Sequence, residues 1–167
     1  SGGSGKTPLV IRLCRIFAEA GLAPGVISRG YGRKARGLRL VSPASSPEVV
    51  GDEPLLISRR TGVPVIVATN RCNAALALLK QKINVIISDD GLQHHRLPRS
   101  LEICVIDGER GLGNGRLIPA GPLREPPERL KSVDHVIING ESEYALRDVA
   151  THNMSLAPGL LKSLVDG

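Results

Sequence analysis

The sequence predicts an α/β fold, a mostly parallel sheet with helices on both faces. Two patterns point to it. Short apolar runs without polar alternation, such as Val85-Ile86-Ile87, recur along the 167 residues with helical segments between them. Strands covered on both faces read this way, and parallel neighbours need crossover connections. The second pattern is the opening Ser1-Gly2-Gly3-Ser4-Gly5-Lys6-Thr7, set directly before a helical segment. It is the Gly-Lys-Thr end of a phosphate-binding P-loop, so the expected architecture is P-loop NTPase-like.

The elements follow in order. Pro8 to Ala20 carries apolar residues at helical spacing, with Pro in its first turn and Gly21 just past its end. Val26-Ile27 is a strand that runs into the Gly-rich turn Ser28-Arg29-Gly30-Tyr31-Gly32. Leu38 to Val41 is a second short strand, and Ser42 to Val50 reads as a loop. Glu53 to Arg60 is helical, Val63 to Val67 a buried-type strand, and Asn73 to Lys82 an Ala/Leu helix. Val85 to Ile87 is a strand ending in Ser88-Asp89-Asp90-Gly91. Leu101 to Ile106 and His135 to Ile138 are further strands, separated by a Gly/Pro-rich stretch from Asp107 to Pro127. There is no internal repeat, no low-complexity segment and no interdomain linker.

Composition narrows the class. Two Tyr, one Phe and no Trp argue against a single-stranded nucleic-acid binder, which stacks bases on aromatic rings. Cys14, Cys72 and Cys104 are few, separated and set among apolar neighbours, so they read as reduced, buried thiols of a cytoplasmic protein. The net charge of +6 is uneven: residues 1–47 hold eight basic residues and one acid, whereas residues 48–167 hold fourteen and fifteen. Arg29, Arg33, Lys34, Arg36 and Arg39 form a run with no acid, suited to phosphates, nucleic acid or an anionic membrane, or to simple solvation. No apolar stretch reaches the length of a bilayer span. The chain opens inside its loop without a preceding strand, and Leu164-Val165-Asp166 reads as the start of another element. Residues 1–167 are therefore expected to be a fragment of a P-loop domain, cut at both ends.

The chemistry rests on a few motifs. In the loop Gly2, Gly3, Ser4 and Gly5, glycines let backbone N–H groups curl around phosphate oxygens, and the helix start adds its positive dipole end. The first Gly of the usual pattern would precede Ser1. Lys6 can reach the β- and γ-phosphates, and the Thr7 hydroxyl can ligate Mg²⁺. Asp89 and Asp90 end an apolar strand, where P-loop enzymes place the acid that serves Mg²⁺; along an extended chain the two point to opposite faces. Asp-Asp-Gly is also an ordinary turn. Gly51-Asp52-Glu53-Pro54 sets two acids at a helix start, where Asp52 is either an N-cap or a carboxylate that accepts the proton of an attacking hydroxyl. His94-His95 follows the Asp-Asp-Gly turn and is either solvated or functional. Gly111-Leu112-Gly113-Asn114-Gly115 lacks the spacing and the following helix of a dinucleotide loop.

Five blocks taken together resemble the tetraacyldisaccharide 4′-kinase family, the lipid A kinases of Gram-negative bacteria. They are Gly-Gly-Ser-Gly-Lys-Thr-Pro at 2–8, Ser-Arg-Gly-Tyr-Gly at 28–32, Gly-Asp-Glu-Pro at 51–54, Asp-Asp-Gly-Leu-Gln-His at 89–94 and Gly-Asn-Gly-Arg-Leu-Ile-Pro-Ala-Gly-Pro-Leu-Arg-Glu at 113–125. The resemblance implies transfer of the γ-phosphate of ATP to the 4′-hydroxyl of a tetraacylated glucosamine disaccharide 1-phosphate, at the cytoplasmic face of the inner membrane. It implies that Lys6 and Thr7 bind ATP and Mg²⁺ and that Asp52 is the catalytic carboxylate, with Glu53 beside it. It further implies that Asp89, Asp90 and Glu125 serve the metal, and that Tyr31, Gln93, His94 and Arg124 line the substrate side. Its partners are then the lipid substrate and an anionic membrane surface, not nucleic acid.

In the family a His from the C-terminal half assists the carboxylate. Neither His135 nor His152 sits in a matching motif, so the 167-residue piece alone is expected to be inactive. The alternative is a nucleotide-switch ATPase of the partitioning and site-placement type, whose loop also reads Gly-Gly-x-Gly-Lys-Thr. Those proteins carry Lys immediately before the two glycines, where this chain has Ser1.

Overall fold

The computed structural model describes residues 3–142 and 149–157. Ser1, Gly2 and Leu164-Val165-Asp166 lie outside the described residues. The rest divides into two compact units, one running from Lys6 to Ser100 and the other holding the remainder.

The first unit begins with α1 (Lys6–Glu19), which closes at Gly21 in the left-handed region, where the Leu22 N–H reaches back to the Phe17 carbonyl at 2.9 Å. β1 (Pro24–Ser28) follows, buried throughout. β2 (Arg39–Leu40) is exposed. The segment expected as a loop contains one helical turn, α2 (Pro47–Val50), because Ser46 accepts the Glu48 N–H and Pro47 presets the first helical φ. α3 (Asp52–Thr61) ends at left-handed Gly62, β3 (Val65–Val67) is buried, and α4 (Arg71–Leu79) starts where the Asn70 side chain accepts the Asn73 N–H. β4 (Val85–Ser88) closes the unit.

The strands lie in the order β2-β3-β1-β4, parallel except for the antiparallel pair β2 and β3. Side chains alternate across the sheet, and each face has its own helices. Val26, Val65 and Val67 pack with Val10 and Cys14 of α1 and Leu55 and Ile57 of α3. Ile27 and Ile66 face the other way, onto Ala74, Ala75 and Leu78 of α4. Helices cover both faces of a mostly parallel sheet, as the apolar runs require.

The second unit has a parallel three-stranded sheet, β5 (Ile103–Asp107), β6 (His135–Asn139) and β7 (Thr151–Met154), in that order. A 3₁₀ helix over Pro127–Ser132 leads into β6, with Leu130 and Val133 buried. None of the three cysteines is in a disulfide, but only Cys14 is buried; Cys72 and Cys104 are half-buried.

Candidate functional site

In a parallel sheet, loops gather at the carboxyl ends of the strands and position side chains there. In the first unit these ends are Ser28 of β1, Ala68 after β3 and Asp89 after β4, linked by hydrogen bonds. The Asp89 N–H donates to the Ile27 carbonyl at 2.9 Å and the Ala68 N–H to the Ser28 carbonyl at 3.0 Å. The Ser28 hydroxyl donates to Asp89 Oδ2 at 3.2 Å.

Asp89 is 3% exposed. Burial pushes its carboxyl above the ordinary value, and the negative charges of Glu53 and Asp90 add to the shift; the Ser28 hydrogen bond and the Lys6 ammonium oppose it. Asp90 is exposed and left-handed, with φ 51°, so the two carboxylates leave the strand end in different directions. Lys6 and Thr7, in the first turn of α1, are half-buried.

Arg71, at the head of α4, was not legible as a site residue. It is 2% exposed and among the largest fully buried side chains. Its Nη1 donates to the Ala68 carbonyl at 2.9 Å and its Nη2 to the Asp89 carbonyl at 3.3 Å. Burial lowers its pKa, while the Asp89 and Asp90 charges support the cation. The guanidinium therefore ties the β3 end to the β4 end behind the aspartates. The only sequence signal was an Arg directly after the Asn70 cap at a strand end.

A close approach of two glycines joins motifs twenty residues apart. A Cβ on Gly51 would lie 3.2 Å from Gly30 Cα, and one on Gly30 would lie 2.7 Å from the Val50 carbonyl oxygen. Both glycines are left-handed, with φ 94° and 68°. The contact brings the Ser28–Gly32 turn against the start of α3, where Asp52 and Glu53 stand exposed in the first turn. Asp52 is not a capping residue: Gly51 occupies the N-cap and makes no side-chain bond, and Asp52 is already the first helical residue. Tyr31, in the same turn, is 87% exposed.

After Asp90 the chain turns through Gly91 to His94, whose N–H donates to the Gly91 carbonyl at 2.9 Å. Arg99 closes this loop with bonds to the Gly91 and Leu92 carbonyls, both at 3.0 Å. Gln93 is exposed; His94 is half-buried, and burial, Arg71 and Arg29 hold its pKa below the ordinary value.

In the second unit, Gly3 and Gly5 are left-handed at φ 94° and 87°. Gly5 is buried, and a Cβ there would meet Asn139 Nδ2 and Met154 Cε at 2.8 Å, so the strand ends of β6 and β7 leave room only for glycine. The segment 113–123 is bound to itself: the Asn114 amide donates to the Ala120 carbonyl at 2.9 Å and the Ile118 N–H to the Leu123 carbonyl at 2.9 Å. Arg124 beyond it is exposed, and Glu125 is paired with Arg129. Among the described residues, no group of three or more His, Cys, Asp or Glu is arranged to hold a metal ion.

The family model for tetraacyldisaccharide-1-P 4′-kinase matches residues 1–165. The chain belongs to this family. A tetraacyldisaccharide 4′-kinase of Shewanella pealeana is 50% identical over 177 residues, covering 98% of this chain and 54% of its own length. One of Chromobacterium violaceum is 53% identical over 169 residues, covering 99% and 50%. The crystal structure of "apo" form LpxK from Aquifex aeolicus in complex with ATP superposes with a TM-score of 0.78 and 31% identity, over 91% of this chain and 50% of that one. The chain spans about half the length of the curated relatives it matches. Membership in the kinase family sets aside the nucleotide-switch reading, and the likeness to LpxK agrees with the expected P-loop fold.

Proposed function

We propose that this chain supplies the nucleotide- and cation-binding part of a kinase that transfers the γ-phosphate of ATP to the 4′-hydroxyl of a tetraacylated glucosamine disaccharide 1-phosphate. The observation that carries the reading is the buried Asp89 carboxylate at the end of β4, within the field of Lys6 at the head of α1. P-loop enzymes place a lysine and an acid in this relation for phosphates and Mg²⁺.

The residues fit a divalent cation. Asp89 is a buried carboxylate whose charge is opposed by burial and by two neighbouring acids, and a cation relieves that cost. Mg²⁺ keeps waters and phosphate oxygens and takes only one or two carboxylates, so the site needs no cluster of three acids. Asp89 and the Thr7 hydroxyl would hold it, with Asp90 through the outer shell, and the family resemblance adds Glu125. When bound, the ion neutralises charge on the phosphates.

Lys6 and the amides around Gly3, Ser4 and Gly5 bind the phosphates; the resemblance adds Gly2 to them. Asp52 stands exposed on α3 next to the Ser28–Gly32 turn, placed to accept a hydrogen bond from the sugar hydroxyl and orient it. His94 and the exposed Gln93 and Tyr31 offer polar contacts to the lipid headgroup, with Glu53 supporting Asp52; the family resemblance adds Arg124. The basic run Arg29 to Arg39 suits the substrate phosphate and an anionic leaflet, which supports a reaction at the inner membrane's cytoplasmic face. No helix of the described residues is long and apolar enough to cross a membrane.

The test is 4′-phosphorylation of the lipid disaccharide by a chain of the relatives' full length. Asp52→Asn should lower kcat about 10²-fold or more, with the unfolding temperature unchanged. Near-normal turnover in that variant would remove Asp52 from the reaction.

A further inference from the structure

β6 and β7 are parallel neighbours, with Val136 beside Thr151 and Ile137 beside His152. Along β6, Val136 and Ile138 are buried, while His135 and Ile137 alternate with them onto the opposite face and are half-buried. His152 is the ladder partner of Ile137, so His135 and His152 share that face, one diagonal step apart. Their rings meet. His152 Nε2 lies 3.1 Å from His135 Nδ1, with the ring centroids 5.0 Å apart and the planes inclined by 58°.

Both rings stand on fixed backbone. The Asp134 and His135 N–H groups donate to the Glu102 carbonyl, both at 3.1 Å, and the Glu102 N–H donates to Asp134 Oδ2 at 2.6 Å. Arg129 holds the Glu102 side chain, its Nη2 donating to Oε2 at 2.6 Å. The Val136 N–H donates to the Ala150 carbonyl at 2.8 Å, just before β7 begins. At the far end of β7 the Gly140 N–H donates to the Met154 carbonyl, also at 2.8 Å. Bonds at both ends of the strand pair preorganise the two imidazoles.

Two neutral imidazoles in contact place one N–H and one lone pair between the facing nitrogens. The same spacing suits a second use. Two imidazole nitrogens bonded to one transition-metal ion at about 2.0–2.1 Å, at angles from a right angle to the tetrahedral value, lie about 2.9–3.4 Å apart. The observed 3.1 Å falls inside that range.

We propose that His135 and His152 form a two-histidine site for a divalent transition metal of the imidazole-seeking class, Zn²⁺, Ni²⁺ or Cu²⁺. On binding, the donor ring moves its proton from the facing nitrogen to the outer one. Both facing lone pairs then go to the ion, and no proton leaves the pair. The described residues hold no group of three or more His, Cys, Asp or Glu for a metal, so water fills the remaining positions. Mg²⁺ seeks oxygen ligands and does not compete. The ion ties β7, three of whose four residues are exposed, to β6.

The experiment titrates a chain of the relatives' full length with Ni²⁺ or Zn²⁺, read by equilibrium dialysis and thermal unfolding. Wild type should take up the metal saturably, its unfolding temperature should rise to a plateau, and excess Mg²⁺ should not displace the metal. His135→Gln and His152→Gln should each raise the half-saturating Ni²⁺ concentration about 10-fold or more, since losing a ligand costs no less than losing a group that orients one. With Cu²⁺, electron paramagnetic resonance should show coupling to two imidazole nitrogens, lost in both variants. His152 is exposed, so if His135→Gln does not fold, His152→Gln carries the test. Wild-type half-saturation in His152→Gln, or in the double change His135→Gln/His152→Gln, would overturn the proposal and leave only a hydrogen bond between two rings. Absence of saturable uptake by wild type would overturn it as well.

Discussion

Asp89→Asn exchanges a carboxylate that is 3% exposed for a neutral amide of the same shape. The amide oxygen can still accept the Ser28 hydroxyl, so the hydrogen bond survives and only the charge is lost. Burial and the repulsion from Glu53 and Asp90, which disfavour the ionised side chain, are then relieved, against the loss of its attraction to Lys6 and of the support it gives the buried Arg71 cation. The carboxyl is raised in the folded state, so the fold binds this proton more tightly than the unfolded chain does. Its contribution to stability is therefore complete below the unfolded value of 3.8 and is lost as pH rises through the folded value.

At neutral pH the wild-type protein carries that cost and the Asn variant does not. Relief of such functional strain is worth about 0.5–2 kcal/mol. For a chain of this size, 1 kcal/mol corresponds to a rise of roughly 2–4 °C in unfolding temperature. Thermal unfolding followed by circular dichroism, at a series of pH values from neutral down to the carboxylate range, measures it. The Asn variant should be the more stable at neutral pH, its advantage should shrink as pH falls, and added Mg²⁺ with ATP should stabilise it less than wild type. A variant less stable than wild type at neutral pH, or an advantage independent of pH, would refute the electrostatic account.

Arg71→Met should cost about 1–3 kcal/mol for each buried carbonyl it leaves without a donor, read as a fall in denaturant midpoint; an unchanged midpoint would mean that water replaces the guanidinium. Gly51→Ala forces a non-glycine residue to φ 94° against the Gly30 backbone, so it should destabilise by about 1–3 kcal/mol. A Gly51→Ala chain as stable as wild type in urea titration would show that the loop yields at no cost. Burial pushes the Cys14 thiol up to about 11, so iodoacetamide at pH 8 should modify Cys72 well before Cys14 in the native protein, and both once it is unfolded. Because that value is raised above 9.0, Cys14 supports the fold fully below pH 9 and loses this contribution as pH climbs through about 11. Equal modification rates for Cys14 and Cys72 in the native state would contradict its burial.

What the sequence determined by itself was local. The apolar runs of β1, β3 and β4 and the helical spacing of α1, α3 and α4 were legible, because a buried strand or an amphipathic helix writes its own period. The Gly-Lys-Thr pattern ahead of α1 was legible too, since it lies within a few neighbouring residues. The α2 turn carried a readable signal in Ser46-Pro47-Glu48, which the loop expectation passed over. β7, with the sequence Thr-His-Asn-Met, has no apolar alternation; it is a strand because β6 offers it a partner in register, Val136 to Thr151 through Asn139 to Met154.

The tertiary structure decided the rest. The capping reading of Asp52 fell only when Gly51 was found in the cap position. The contact of Gly30 with Gly51, the burial of Arg71 between two strand ends and the grip of Arg129 on Glu102 and Glu125 join residues far apart in the chain. Local pattern records which faces are apolar and where the chain turns. Which distant residues meet depends on the closure of whole loops and on the assembled sheets, and no short window of sequence contains that free energy.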